Sequence, residues 1–225
     1  FNLDQFVTEF RYNYNQSEIG IPESIGEQTT SRSVMLPYQD LNTHILSLHN
    51  HFYLNKSKID LNLGYTVNNR KEFEDEHDHE DEDHNEELAD ADEDEHEEAA
   101  LDMKLKTFTY DLKYNLAKMG KFETIVGLQG MYQENQNFGE EILIPDAITS
   151  DVGLLVTSTL SINDKSAVQG GIRFDHRNLS SSSFEKEDPN DPTQEIIIDG
   201  LDRSFSNVTF SLGYKTMFLD KMTTR

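Results

Sequence analysis

Apolar and polar residues alternate along most of this chain, as they do in strands of a sheet with one apolar and one polar face. Between Lys104 and Leu116, for example, Phe108, Tyr110 and Leu112 lie on one face of the predicted strand. The residues of the other face are the polar Thr107, Thr109, Asp111, Lys113 and Asn115. The alternation predicts an all-β protein of eight antiparallel strands, with a ninth beginning near Met222. The first apolar positions of the eight are Phe6, Leu46, Ile59, Phe108, Phe122, Val152, Val168 and Val208.

The connections between these strands alternate between short and long. Short turns are predicted at residues 55–58, 118–121, 163–166 and 218–221, and long polar loops at 17–43, 71–101, 135–150 and 178–204. Tight turns at one edge and extended loops at the other are typical of an outer-membrane β-barrel, with its turns in the periplasm and its loops outside the cell. The alternative is a soluble, lipocalin-like barrel, which would turn its apolar face inward.

Strand length and aromatic positions favour the membrane barrel. The predicted strands have about 10 to 13 residues, longer than the usual soluble strand of about 5 or 6. Aromatic residues also lie near the predicted strand ends, where a membrane barrel carries an aromatic girdle. These residues are Tyr14, Phe52, Tyr65, Phe122 and Tyr132.

The negative charge of the chain is concentrated in one block. Eighteen of the 27 residues from Glu72 to Glu98 are acidic, four are histidines and none is basic. Without this block the net charge would be about −6 instead of −24. Such a segment cannot bury a core, so residues 72–100 are predicted to form a disordered loop outside the cell.

Composition excludes several classes of function. There is no basic stripe of the kind that binds phosphates, so no nucleic-acid partner is expected. The chain has no cysteine, which excludes disulfides and thiolate metal sites. No apolar run approaches the roughly 20 residues of a spanning helix. His176 follows Asp175, but no serine or cysteine nucleophile has a supporting pattern, so no enzymatic activity is expected.

The acidic block is the first candidate metal site. Imidazole together with carboxylate suits zinc, copper or nickel, whereas carboxylate alone suits calcium or magnesium. A flexible anionic loop would raise the local cation concentration, and its binding would weaken as protons compete for the same nitrogens. The block could also be only a solvated charged surface. The candidate ligands are His77, Asp78, His79, Glu80, Asp83, His84, Glu95 and His96.

The second candidate metal site is the pair His49 and His51. Two residues apart on a strand, they point to the same, polar face, with Asp60 and Asn62 across the short turn. They could form an internal relay for metal or a contact to another domain inside the barrel. The alternative is that they bind only water or that other domain.

Three stretches of sequence resemble a known family. "KSKIDLNLGYTVNNRKEFED", the region from Ala100 to Ala147 and "VQGGIRFDHR" are similar to middle barrel strands of TonB-dependent outer-membrane receptors of the Bacteroidetes type. That family implies a barrel of about 22 strands, a plug domain, and energy-dependent import of a scarce nutrient. Some members, including zinc importers, have outer loops rich in histidine and acid.

The chain departs from the family pattern, since neither a plug, nor a TonB box, nor an aromatic terminal strand is recognisable. Residues 1–225 are therefore expected to be an internal barrel fragment that acts with a TonB complex through a missing N-terminal region. If complete, the chain would close as a small eight-stranded barrel.

The expected function is import of zinc or another divalent metal across the bacterial outer membrane. Zn²⁺ is expected as the transported or loop-bound ion, with no covalent cofactor, and membrane lipid as a partner. Two alternatives stay open: a receptor for a ferric siderophore or haem with an incidental acidic loop, and a surface protein that binds divalent cations without transporting them.

Overall fold

The computed structural model describes residues 2–3, 5–21, 34, 36–74, 99–139, 142–188, 191–218 and 222–224. All of its regular elements are β-strands, and eight of them are long, with 15 to 17 residues each. No helix among these residues is long and apolar enough to span a membrane. The strands are β1 Asn2–Leu3, β2 Phe6–Gly20, β3 Tyr38–Leu54, β4 Ser57–Phe73, β5 Leu101–Asn115, β6 Phe122–Asn137, β7 Ala147–Asn163, β8 Ser166–Ser181, β9 Phe184–Asp188, β10 Asp191–Ile198, β11 Asp202–Phe218 and β12 Met222–Thr224.

Ten of the strands form one antiparallel meander in the order β1-β2-β3-β4-β5-β6-β7-β8-β11-β12, which confirms the predicted fold class. The eight predicted strands are β2 to β8 and β11, and the ninth is β12. The two-residue β1 pairs with the start of β2. The remaining hairpin, β9–β10, lies within the predicted loop 178–204 and was not predicted.

The strands are longer than predicted, and the loops are correspondingly shorter. β3, for instance, begins at Tyr38, so residues 38–43 of the predicted loop 17–43 belong to a strand. The long connections become residues 21–37, 74–100, 138–146 and 182–201. Most of the extra residues are polar, and apolar ones such as Leu41, Leu101 and Met103 lie on the opposite face from the apolar residues of the strand centres. The alternation from which a strand could be predicted therefore breaks, although the backbone ladder continues.

Two of the short turns contain residues suited to a left-handed backbone. Asn55 has φ of 51° between β3 and β4, and Gly120 has φ of 61° between β5 and β6. Asparagine and glycine tolerate this region better than other residues. These short turns lie at one edge of the sheet, called here the short-turn edge, and the opposite edge is called the long-loop edge.

Register places most apolar side chains of the eight long strands on one face, with exceptions such as Ile45, Leu155 and Phe205 on the other. Cα partners across β3 to β6 include Leu48 with Leu63, Leu61 with Leu112, and Leu112 with Leu128. The polar residue Asn50 also lies on this face, where it is 6% exposed, accepts a hydrogen bond from Thr8 and donates one to the Leu61 carbonyl. We call this side the apolar face and the other side the polar face.

No other described element covers the apolar face. Phe210 and Leu212 are 83% and 84% exposed. The buried hydrophobic residues in the described part of the chain, Leu101 and Met103, lie on the opposite, polar face. Hydrophobic burial between layers therefore contributes little to this sheet. Its stability as described comes from the backbone ladders and from cross-strand side-chain pairs.

Aromatic residues mark both limits of the apolar face. Tyr65, Phe108 and Tyr132 are successive Cα partners and form one row across β4, β5 and β6. Toward the short-turn edge, Phe6 and Phe52 stack with ring centroids 4.7 Å apart. Tyr65 and Tyr132 lie well inside their strands, because those strands continue beyond the apolar part of the face.

Candidate functional site

Ionisable side chains form two groups on the polar face. The first, called the Asp60 cluster, consists of His51, Lys58, Asp60 and Asn115, near the short-turn edge. The second, called the arginine network, crosses β5 to β8. It consists of Asp111, Lys113, Gln129, Asp151, Arg173, Asp175 and Arg177.

Asp60 is the centre of its cluster because both of its carboxylate oxygens have partners. Lys58 Nζ lies 2.9 Å from Asp60 Oδ1, and His51 Nδ1 contacts the same oxygen. Asn115 Nδ2 donates to Oδ2 over 2.8 Å. Antiparallel register produces this arrangement, since His51 and Asp60 are direct Cα partners across the β3–β4 turn.

His49 has a similar neighbour one step further along the strand. Its Nδ1 lies 2.8 Å from Oδ1 of Asn62, its Cα partner on β4. The predicted placement of both histidines on the polar face, opposite Asp60 and Asn62, is therefore confirmed. Because Nδ1 of each ring already has an oxygen partner, only Nε2 is left for a cation.

The described residues do not assemble a complete metal site around these histidines. Within those residues there is no group of three or more histidine, aspartate or glutamate side chains placed to hold a metal ion. The pair therefore offers at most a partial ligand set. A metal role for His49 and His51 stays a prediction.

The eight candidate ligands of the acidic block, His77, Asp78, His79, Glu80, Asp83, His84, Glu95 and His96, lie outside the described residues. The structure does describe both flanks of the block. β4 ends at Phe73 and β5 begins at Leu101, where Glu72 is the Cα partner of Leu101. Gln39 and Arg70 both donate to Glu72 Oε2, over 2.8 and 3.1 Å. The block therefore starts and ends at the long-loop edge.

In the arginine network, Arg173 joins two strands. Its Nε donates to both oxygens of Asp175 over 2.8 Å, and its Nη1 contacts Gln129 Oε1 on β6. Gly153, on the strand between them, makes room for the guanidinium, since a Cβ there would lie 2.5 Å from Arg173 Nη2. The absence of a side chain at 153 allows Arg173 to reach across β7.

Two further ion pairs complete the network. Arg177 binds Asp151 in a bidentate manner, with Nε–Oδ1 of 2.7 Å and Nη2–Oδ2 of 2.6 Å. Lys113 Nζ donates to Asp111 Oδ2 over 2.7 Å. Three cations thus face three carboxylates, so the network has no net charge to hold a bare ion. It presents a polar wall to a groove of about 720 Å³.

At the long-loop edge, side chains on the polar face of β6 donate hydrogen bonds to the 138–146 loop. Asn137 Nδ2 donates to the Ile144 carbonyl and to Asp146 Oδ1, each over 2.7 Å. Asn135 Nδ2 donates to the Pro145 carbonyl over 3.2 Å. The Ser182 amide donates to the Asp146 carbonyl over 2.8 Å, which links this loop to the next.

Sequence reasoning did not single out the arginine network or the loop contacts. The available signal was the spacing of Arg173, Asp175 and Arg177, which places three charges on one face of β8. Their partners Gln129 and Asp151 can be found only once the register of β6, β7 and β8 is known.

Comparisons with known proteins support the fold. Neither a family model nor a curated protein matches the sequence. Among solved structures, the chain is similar to the ferric yersiniabactin uptake receptor FyuA from Yersinia pestis, with a TM-score of 0.64 and 12% identity. The similarity covers 96% of this chain and 33% of that receptor, so the chain spans about a third of the receptor's length.

At this low identity the similarity concerns the fold alone. The chain has an antiparallel meander similar to part of that receptor, in agreement with the predicted all-β fold class. The Bacteroidetes type and the zinc kind of receptor stay predictions. The comparison and the register together assign this chain the fold of a section of a large β-barrel wall, with one apolar and one polar face.

Proposed function

We propose that this chain forms part of the wall of a TonB-dependent transporter in the bacterial outer membrane, and that it has no enzymatic role. The observation that carries the proposal is the uncovered apolar face of the meander. A soluble protein rarely leaves so large a continuous apolar surface in water. In a barrel wall, lipid covers that face and the polar face lines the interior.

The height of the apolar face supports a membrane-spanning wall. On β4 the outward residues from Ile59 to Val67 are apolar or aromatic, a stretch of nine residues. At about 3.3 Å per residue this is about 30 Å along the strand. Tilted by about 40°, it matches the roughly 25 Å apolar band of outer-membrane barrels.

The two outermost long strands of the sheet, β2 and β11, support a larger barrel than the described strands form. Within the described residues, β1 covers only Phe6 and Val7 of β2, and β12 covers only Thr216, Met217 and Phe218 of β11. The rest of both edges has unpaired backbone groups, which lipid cannot satisfy. Further strands would pair with them, as expected of an internal section. A plug and a TonB contact elsewhere in the protein belong to the same proposal.

For the cargo we propose zinc or another divalent metal, captured by residues 72–100. The support is the composition of the block, in which 18 acids surround four histidines. Both flanking strands end at the long-loop edge, which in this proposal faces the outside of the cell. So many carboxylates in one connection would concentrate cations there by electrostatic attraction.

The experiment compares uptake of labelled zinc at limiting concentration by the full-length protein, with and without residues 75–97, in cells that lack other zinc importers. The proposal expects a marked drop on deletion with unchanged barrel abundance. A second variant replaces His77, His79, His84 and His96 with asparagine, which should weaken zinc binding and leave calcium binding nearly intact. Unchanged zinc uptake after the deletion, or equal loss of both metals, would contradict capture by the histidines.

A ferric chelate is the second candidate cargo. The observation that favours it is the similarity in fold to the ferric yersiniabactin uptake receptor. In that case neither form of the protein would transport zinc, and iron uptake would depend on a supplied chelate. Binding of cations by the loop without uptake of either cargo would instead indicate a surface cation-binding protein.

A further inference from the structure

The β9–β10 hairpin extends beyond the long-loop edge of the main sheet. It forms a two-stranded sheet of its own, and among the described residues its strands pair with no other strand. Its base continues the β8–β11 ladder, since the Ser181 amide donates to the Leu201 carbonyl over 2.7 Å and the Leu201 amide to Ser181 Oγ over 2.9 Å. Within the described part of the chain, both outer edges of the hairpin therefore have unpaired backbone groups, which are a template for a further strand.

Register divides the side chains of the hairpin between two faces, because Cα partners in an antiparallel ladder point to the same side. The first side, called here the isoleucine face, carries Phe184, Lys186, Ile196 and Ile198. The second side, called the glutamate face, carries Glu185, Glu195 and Ile197.

Three consecutive isoleucines on β10 are exposed. Ile197 is 69% exposed, and Ile196 and Ile198 are each 38% exposed. Consecutive residues of a strand point to opposite faces, so burying all three requires a neighbour that reaches both faces. A two-stranded hairpin alone is marginally stable in water. A strand added to the outer edge of β10 would supply both the missing cover and the missing backbone partners.

The glutamates of the hairpin lack counterions. Neither Glu185 nor Glu195 forms an ion pair with another described residue, and Lys186 lies on the opposite face. The whole connection 182–201 contains six carboxylates and one lysine. Like charges on one face of a sheet repel each other, whereas opposite charges on neighbouring strands attract. The charge complement of the glutamate face is therefore a basic strand.

We propose that the outer edge of β10 binds an extended segment of another protein, in which basic and apolar side chains alternate. Backbone groups of the segment pair with β10 by strand addition. Its apolar side chains cover Ile196 and Ile198, and its basic side chains lie beside Glu195. In the proposed function the long-loop edge faces the outside of the cell, so the partner is an extracellular protein; this part of the inference rests on that proposal.

Other occupants match these features less completely. A second copy of the chain would bring an equally acidic hairpin against this one, and like charges would oppose the contact. An anionic membrane surface would be repelled for the same reason. A metal ion would neutralise carboxylates but leave the isoleucines in water.

The test measures binding of a fluorescent octapeptide of alternating lysine and valine to the full-length protein in detergent, by fluorescence anisotropy. The matched control peptide has the same sequence with its four central backbone amides methylated, which blocks both of its edges. We expect the unmodified peptide to bind about ten-fold more tightly, because methylation removes ladder hydrogen bonds and keeps the charge. The acidic block attracts both peptides, so it does not produce the difference.

Variants of the hairpin locate the binding site. Glu185→Gln and Glu195→Gln should each weaken binding about two- to five-fold. Ile197→Thr should weaken it about ten-fold, because it removes apolar contact and keeps a β-branched residue. Glu18→Gln is the matched control, since it removes an exposed carboxylate of β2 at the same edge of the sheet. Heat-modifiable migration on gels checks that each variant is folded.

Tighter binding of the unmodified peptide that weakens in the three hairpin variants supports strand addition. Equal binding of the two peptides by wild type overturns it, whatever the variants do. An equal loss in Glu18→Gln would mean general attraction to an acidic edge and would also overturn it. So would a dimer of the protein that forms without peptide and is lost in Ile197→Thr, because a second copy would then occupy the hairpin.

Discussion

At the scale of single residues, strand glycines differ in what surrounds them. Gly130 on β6 is the Cα partner of Tyr110, and an added Cβ would collide with the Tyr110 hydroxyl and the Asp151 carbonyl oxygen. Gly170 on β8 has nothing within 4 Å of the same position. The Tyr110 side chain thus occupies the space that a side chain at position 130 would need, whereas the space beside Gly170 is empty.

This difference predicts opposite outcomes for two matched substitutions. Gly130→Ala should destabilise the protein by about 1–3 kcal/mol, because backbone on β7 has to shift. Gly170→Ala should be neutral or slightly stabilising, since alanine restricts the unfolded chain. Urea unfolding of the full-length protein in detergent, followed by tyrosine fluorescence, measures both. Equal stability of the two variants would show that Tyr110 does not lie over Gly130.

Residue-scale chemistry was only partly predictable from the sequence. The alternation of side-chain direction along a strand is enough to predict that His49 and His51 lie on the polar face, because this alternation is a local property of the strand. Their partners Asn62 and Asp60 followed from a short turn that fixes register. Arg173 and Gln129 lie 44 positions apart, and their contact depends on the register of three strands. No local pattern encodes that contact.

At the scale of elements, strand centres were predictable and strand ends were not. Within the apolar band the apolar residues keep to one face, so alternation is strong. Beyond the band most residues are polar and apolar ones such as Leu101 and Met103 lie on the other face, so the signal disappears. The hairpin β9–β10 was missed for a related reason. "FEKEDPNDPTQEIIID" carries the proline and acid composition of a loop, yet Phe184 pairs with Ile198 across the hairpin.

We expect the two faces of β5 to differ in how well they tolerate an added charged side chain. Leu112→Arg places a cation in the middle of the apolar face on β5 and should cost about 2–4 kcal/mol, with less folded protein in the membrane. Thr109→Arg, three positions away on the polar face, should leave folded abundance near wild type. Heat-modifiable migration on gels reports the folded fraction of each variant. A reversed order of the two variants would assign the apolar face to the barrel interior.

At the scale of the whole molecule, most of the net negative charge lies in one connection between strands and not in the strands of the sheet. Of the 18 acids of residues 72–98, 17 lie in the connection 74–100 at the long-loop edge and Glu72 lies at the end of β4, and the remaining chain has a net charge of about −6. The arginine network carries three cations and three carboxylates and therefore no net charge. Composition could identify the chemistry of the block, but a segment without periodicity carries no information about its geometry.

The central claim is that the apolar face of this sheet contacts lipid. Single nitroxide labels on β5 of the full-length protein in bilayers test it directly, and this chain has no native cysteine to interfere. Collision rates are measured with oxygen, which concentrates in lipid, and with a water-soluble nickel chelate, at positions 107 to 112. We expect oxygen contact to dominate at Phe108, Tyr110 and Leu112, and chelate contact at Thr107, Thr109 and Asp111. Labels at 108, 110 and 112 shielded from both reagents would indicate a soluble barrel with an apolar interior and would contradict the account.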